Sequence, residues 1–136
     1  IGSWEVLSAG EDVLILAVGS MVHKSLEICR KLAEKNITAE VVNCRFIKPM
    51  DIDYLNSSFK KFKKIVTIEE GVIDGGFGEG ILNWSAKNNF SKDILTLGVP
   101  NRFVDHGSRD VLLEEIGLDS VTLHENIFNF IKKVND

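Results

Sequence analysis

Six apolar residues follow one another at Val13-Leu14-Ile15-Leu16-Ala17-Val18, and the run ends at Gly19-Ser20. A continuous apolar run of this length is typical of a parallel strand that is covered on both faces. Ser20 is predicted to cap a helix whose apolar residues recur at helical spacing as far as about Asn36. The β-branched run from Thr38 to Val42 predicts the next strand, so the unit reads as a right-handed βαβ crossover.

The segments on either side continue this alternation of strands and helices. In chain order they predict a short hairpin through Trp4-Glu5-Val6-Leu7, a helix capped by Asp51, strands at Ile65–Ile68 and Ile94–Leu97 with a helix between them, a short helix capped by Ser108, and a last helix starting near Ser120. The pattern predicts an α/β fold, a three-layer α/β/α sandwich with helices on both faces of a mostly parallel sheet. Residues 1–136 read as a single domain without an internal repeat.

Composition and charge narrow the classes of partner. A chain of 136 residues with 44% hydrophobic and 26% charged residues is typical of one globular domain, and its net charge of −4 argues against nucleic acid or an anionic membrane surface as partners. The two cysteines, Cys29 and Cys44, have no metal or disulfide spacing, which favours a reducing, intracellular setting. Because the chain starts at Ile1 and not at methionine, we interpret it as a fragment of a longer protein.

The motifs do not make a self-sufficient enzyme. Gly76-x-Gly78-x-Gly80 lacks the G-x-G-x-x-G spacing of a dinucleotide site, so the glycines are interpreted as serving a tight turn and close packing. Glu69 and Glu70 end a strand, where an acid or base can reach a substrate, but neighbouring strand residues face opposite sides and only one of them can face a given cleft. His106 lacks a recognisable nucleophile nearby, and the three histidines have no metal-ligand spacing.

Several segments in order resemble the C-terminal domain of the transketolase-like thiamine diphosphate enzymes. The stretch from Val42 to Asp51 resembles the pattern V-N-x-R-F-x-K-P-x-D of that family. The resemblance continues through Glu69-Glu70-Gly71, Gly75-Gly76-Phe77-Gly78, Leu97-Gly98-Val99-Pro100, His106-Gly107 and Gly117-Leu118-Asp119. It covers nearly the whole chain.

The resemblance implies a full-length transferase that condenses pyruvate with glyceraldehyde 3-phosphate and releases carbon dioxide, for isoprenoid, thiamine and pyridoxal synthesis. Thiamine diphosphate and a magnesium ion would be its cofactors. In the family, the groups that bind them lie in the two preceding domains, so no catalytic, cofactor-binding or metal residue is assigned to this chain. The implied partners are those preceding domains and a second subunit in a homodimer, in bacterial cytoplasm or, alternatively, a plastid.

Two alternatives stay open beside this interpretation. The first is the β subunit of a 2-oxo-acid dehydrogenase, although its sequence usually reads closer to D-L-R-T where this chain has R-F-x-K-P-x-D. The second is a free-standing interaction or small-ligand module of the same fold class.

A docking surface is the function predicted for two segments of this chain that cluster at strand ends, Arg45 to Asp51 and Glu69 to Gly78. Candidate contact residues to the preceding domains or to a partner subunit are Arg45, Lys48, Asp51, Glu69, Glu70, Gly75, Gly76, Phe77, Gly78 and His106. Arg45 and Lys48 would pair with acids across that contact. The competing interpretation is that Arg45 only satisfies local carbonyl groups.

Overall fold

A five-stranded sheet lies at the centre of the described part of the chain, residues 3–100 and 113–133 of the computed structural model. Its elements are β1 (Glu5–Ser8), β2 (Val13–Ala17), α1 (Met21–Ala33), β3 (Ala39–Asn43), α2 (Ile52–Lys61), β4 (Lys64–Val72), α3 (Phe77–Lys87), β5 (Asp93–Val99) and α4 (Ser120–Lys132). The strand order is β1-β3-β2-β4-β5. All neighbouring strands are parallel except β1, which runs antiparallel to β3.

Helices cover both faces of this sheet, which confirms the predicted three-layer architecture. One apolar layer packs α1 and α4 against residues such as Val13, Ile15 and Val66. The other packs α2 and α3 against residues such as Leu14 and Leu16. Since alternate residues of β2 contribute to each layer and all five are fully buried, β2 is the two-sided central strand that its apolar run predicts.

The predicted hairpin at the start of the chain is wrong. Residues Glu5 and Val6 pair with Asn43 and Val42 of β3, so β3 lies between β1 and β2, which a hairpin would make neighbours. The connection crosses the start of β3 at Gly10, where a side-chain Cβ would lie only 2.4 Å from the carbonyl carbon of Ala39. Because β2 is already flanked by β3 and β4, the first strand cannot pair with it and adds to the edge of β3 instead.

Helix starts give one confirmation and one correction. Asp51 is the N-cap of α2, and its Oδ1 accepts a hydrogen bond from the Tyr54 backbone amide at 3.1 Å, as predicted. Ser20 precedes α1 but makes no side-chain cap, because its hydroxyl donates to Glu70 instead. Helix α1 also ends at Ala33, three residues before the predicted Asn36.

The third predicted strand is longer in the structure. Strand β4 continues past Ile68 through Glu69 and Glu70 to Val72, with an irregularity in its pairing to β5 between Ile68 and Val72. Helix α4 begins at Ser120, as expected. His106 and the predicted cap Ser108 lie outside the described residues. Within the described ranges, no helix is long and apolar enough to cross a membrane.

Candidate functional site

A crevice of about 1270 Å³ opens at the carboxyl ends of the parallel strands. Strands β2 and β4 are neighbours, but α1, which follows β2, and α3, which follows β4, cover opposite faces of the sheet. The loops that leave the two strands therefore turn apart and leave a gap between them. This is the place where open α/β sheets usually bind ligands. The crevice is lined by the turn after β2, by residues 43–50 after β3, and by the loop that joins β4 to α3.

Glu69 closes one wall of this crevice by capping α3. Its buried carboxylate accepts hydrogen bonds from the backbone amides of Phe77, at 2.9 Å, and Gly78, at 2.7 Å. Amides of a helix's first turn have no partner inside the helix, so a carboxylate here satisfies them and also complements the helix dipole. The sequence predicted an acid at this strand end, but its contact with α3 depends on the loop that follows.

The glycines of that loop make room for the Glu69 carboxylate. A Cβ on Gly76 would lie 2.3 Å from Oε1 of Glu69 and 2.4 Å from the carbonyl oxygen of Val72. A Cβ on Gly78 would lie 2.6 Å from Oγ1 of Thr67, and Gly75 has a φ of +72°, in the region that favours glycine. Their role in a tight turn and close packing, predicted from the failed nucleotide spacing, is confirmed.

Glu70 points to the opposite side of the sheet, toward the start of α1. Its Oε2 accepts a hydrogen bond from the hydroxyl of Ser20. Neighbouring residues of a strand face opposite sides, so the two glutamates reach two different helix starts. The sequence expectation that only one of them faces a given cleft agrees with this arrangement.

The cofactors implied by the resemblance do not fit this crevice. Phosphate groups bind at helix N-termini through free amides and a positive dipole, but here a carboxylate lies at the start of α1 and another at the start of α3. Among the residues that the structure describes, no three His, Cys, Asp or Glu side chains are grouped so that they could hold a metal ion. No chemical step through thiamine diphosphate or magnesium is therefore derived for this domain.

The segment after β3 holds the first residues of the domain. The guanidinium of Arg45 donates to the carbonyl oxygen of Ser3 at 2.7 Å, and the indole Nε1 of Trp4 donates to the carbonyl oxygen of Phe46 at 2.8 Å. Arg45 and Lys48 are exposed at the mouth of the crevice, whereas Asp51 is buried. Arg45 thus makes the local contact with a carbonyl group that was considered for it, while its side chain remains exposed.

 Of the ten predicted contact residues, six line the crevice: Arg45, Lys48, Glu69, Gly75, Gly76 and Phe77. Gly78 lies beside it through its contact with Glu69, Glu70 instead contacts Ser20, and Asp51 is buried outside the crevice lining. Glu79, which the sequence reasoning missed, also lines the crevice, and its Oε2 accepts a hydrogen bond from the Gly75 amide at 3.2 Å.

Two further groups, one of them in the crevice wall, were not predicted as site residues from the sequence. Cys44 lies in the crevice wall with 1% of its surface exposed, and burial raises the pKa of its thiol far above the usual range. The hydroxyl of Tyr54 donates to Oε2 of Glu40 at 2.5 Å, and burial together with this carboxylate raises the pKa of Tyr54. The hydrogen bond from Tyr54 joins α2 to β3, and the burial of Cys44 depends on the assembled fold, so no local pattern in the sequence signals either feature.

Comparison with known proteins places this chain in a family. The family model described as "Transketolase, C-terminal domain" matches residues 2–123, and the chain belongs to this family. Curated relatives over the same region are 1-deoxy-D-xylulose-5-phosphate synthases. The chain is 39% identical over 132 residues to the synthase of Aquifex aeolicus (strain VF5), which covers 97% of this chain and 21% of the relative. It is 44% identical over 117 residues to that of Lysinibacillus sphaericus (strain C3-41), which covers 85% of this chain and 18% of the relative.

A solved structure supports the same assignment. The chain superposes with a TM-score of 0.87 and 29% identity on a protein described as "Split gene transketolase, inactive beta4 tetramer", over 96% of this chain and 42% of that one. The predicted fold class and the resemblance to the transketolase-like enzymes are therefore confirmed. The chain spans about one fifth of the length of the curated relatives it matches.

Proposed function

We propose that the chain is the C-terminal domain of a thiamine diphosphate-dependent 1-deoxy-D-xylulose-5-phosphate synthase. The observation that carries this proposal is a sequence identity of 39% and 44% to two such synthases, over 97% and 85% of this chain. The full enzyme would condense pyruvate with glyceraldehyde 3-phosphate, release carbon dioxide, and supply isoprenoid, thiamine and pyridoxal synthesis. Thiamine diphosphate and magnesium would be held by the domains that precede this one.

Within that enzyme, the domain supports structure and contributes no reacting group. Two features favour this role: carboxylates occupy the helix starts at the crevice, and cations and apolar side chains surround its mouth. The crevice residues would contact the preceding domains of the same chain or the partner subunit of a homodimer. The named relatives are bacterial, and we place the enzyme in the bacterial cytoplasm.

The proposal is tested by supplying the domain and the rest of the enzyme as two chains. The full-length protein, residues 1–136 alone, the preceding domains alone, and both parts expressed together are assayed for carbon dioxide release from pyruvate and glyceraldehyde 3-phosphate. We expect turnover by the full-length enzyme and recovery only when both parts are present. Samples without thiamine diphosphate and magnesium serve as the control.

Two results would contradict the proposal. Turnover by residues 1–136 alone would place the reacting groups in this domain. Transfer of an acyl group from pyruvate to a lipoyl carrier by the full-length protein, without condensation, would assign it to the 2-oxo-acid dehydrogenase alternative.

A further inference from the structure

The helix starts at the crevice are already occupied by the domain's own carboxylates. Glu69 accepts two amide hydrogen bonds from the first turn of α3, and Glu70 accepts a hydrogen bond from the hydroxyl of Ser20, just before α1. A phosphate or carboxylate ligand would have to displace these groups or approach their negative charge. The crevice is therefore a poor site for a nucleotide or another small anion.

The mouth of the crevice has the character of a protein contact. Ile47 and Val72 leave 38% and 48% of their surface exposed, on the loop after β3 and at the end of β4. Arg45 and Lys48 flank Ile47 in sequence and are exposed as well. Apolar side chains next to exposed cations are complementary to a polypeptide surface that carries apolar residues and acids.

The first described residues fix where the preceding polypeptide leaves the domain. Arg45 binds the carbonyl oxygen of Ser3, and Phe46 accepts a hydrogen bond from the indole of Trp4. Both contacts are made by the segment that lines the crevice. In the synthase relatives, about four fifths of the sequence lies outside the region matched by this chain. A polypeptide that precedes Ser3 is thus tethered at the mouth of the crevice.

Resting on the proposed function, we propose that the crevice receives the polypeptide that precedes Ser3 in the full-length enzyme. That segment presents acids to Arg45 and Lys48 and apolar side chains to Ile47 and Val72. The contact is made within one chain, because the tether at Ser3 and Trp4 gives the preceding segment a high effective concentration at the crevice. A second copy of the enzyme has no such advantage at this site.

Carbodiimide cross-linking of the full-length enzyme tests this assignment, since the reagent joins a lysine amine to a carboxylate in contact with it. We expect mass spectrometry to find Lys48 joined to an Asp or Glu that precedes Ser3 in the same chain. The variant Lys48→Arg keeps the charge but lacks the amine, and should lose this product. The variant Lys87→Arg, on the exposed end of α3, should retain it.

A second measurement uses charge reversal. The variant Lys48→Glu, which keeps the contact of Arg45 with Ser3, should raise the rate of proteolytic cleavage just before Ser3 on the order of tenfold, because removing one side of a charged contact weakens it. The variant Lys60→Glu changes the net charge equally at an exposed position outside the crevice lining and should leave the rate unchanged. A Lys48 cross-link between two subunits, or no Lys48 product together with equal cleavage of both variants, would overturn the proposal. Carbon dioxide release from pyruvate and glyceraldehyde 3-phosphate is measured on the same wild-type preparation. If the enzyme is active but the cross-link is absent, only the docking proposal fails; if it is inactive, the proposed function fails.

Discussion

Asp51 binds Trp4 across 47 residues of sequence: its Oδ2 accepts a hydrogen bond from the Trp4 backbone amide at 2.8 Å. The other carboxylate oxygen accepts from the Tyr54 amide and caps α2. One buried side chain therefore joins the beginning of the domain to the start of its second helix. Because Asp51 accepts two backbone hydrogen bonds, we expect it to contribute more to the free energy of unfolding than an ordinary helix cap does.

The variant Asp51→Ala should lower the free energy of unfolding by about 2–4 kcal/mol, because it removes a cap and leaves the buried Trp4 amide without its acceptor. Urea unfolding followed by the fluorescence of the buried Trp4 and Trp84 measures this change. Asp53, exposed in the first turn of the same helix, is the control, and Asp53→Ala should cost about 0.3–1 kcal/mol. Equal losses for the two variants would show that the contact with Trp4 adds nothing.

Alanine at Gly76 should destabilise the domain by more than about 2 kcal/mol, because its Cβ would overlap with the Glu69 carboxylate and the Val72 carbonyl oxygen. Gly80, four residues later inside α3, has no atom within 4 Å of an added Cβ. Gly80→Ala should therefore stabilise the domain by about 0.5–1 kcal/mol through helix propensity. The two substitutions are compared by thermal unfolding, and a change of the same sign at both positions would contradict this account of the loop.

Cys44 should resist alkylation in the folded protein, because burial holds its thiol in the protonated form and keeps reagents away. Cys29 is only half-buried and should react faster. Native protein is treated with iodoacetamide at pH 8, and peptide mass spectrometry gives the rate at each site, with urea-unfolded protein as the reference. Faster modification of Cys44 than of Cys29 in the native protein would show that the crevice wall opens.

His124 should make stability fall as the pH drops below about 6.5. Burial lowers the pKa of His124 from its usual value of 6.5, and Lys35 and Lys31 lower it further, although Glu125 and Glu34 act in the opposite direction. The unfolded chain therefore binds a proton on acidification before the folded one does, and the free energy of unfolding decreases. Urea unfolding from pH 7.5 to pH 5 should show this slope in the wild type.

The comparison with His124→Gln isolates this effect from other titrating groups. The variant should show a smaller slope between pH 6.5 and pH 5. Asp119, in the same region, does not interfere, because hydrogen bonds from Thr122 outweigh its burial and keep the pKa of Asp119 below 3.8. Identical slopes for variant and wild type would rule out His124 as the cause.

Local patterns in the sequence predict the features that depend on neighbouring residues. The apolar run at 13–18 identifies the central strand because a strand covered on both faces has no polar position. Asp51 is recognisable as a cap because the helix that it starts follows it directly. In both cases, the structural partner lies within the same element or the next one.

The features that the sequence did not predict depend on partners far along the chain. Ser20 has the right residue type for a cap, but its hydroxyl donates a hydrogen bond to Glu70, 50 residues away in sequence. The pairing of β1 with β3 depends on which sheet edge is open, and the capping role of Glu69 depends on a loop folding back over it. Such contacts are properties of the assembled sheet.

The hydrogen bond between Trp4 and Asp51 also has a consequence for synthesis. A ribosome adds about 5–20 residues per second, so the strand that begins the domain waits roughly 2–9 s for the residue that will hold it. Strand β3, its partner in the sheet, is completed only eight residues before Asp51. In a full-length synthase, we expect the junction before this domain to stay extended and accessible to chaperones or proteases until the chain has passed Asp51.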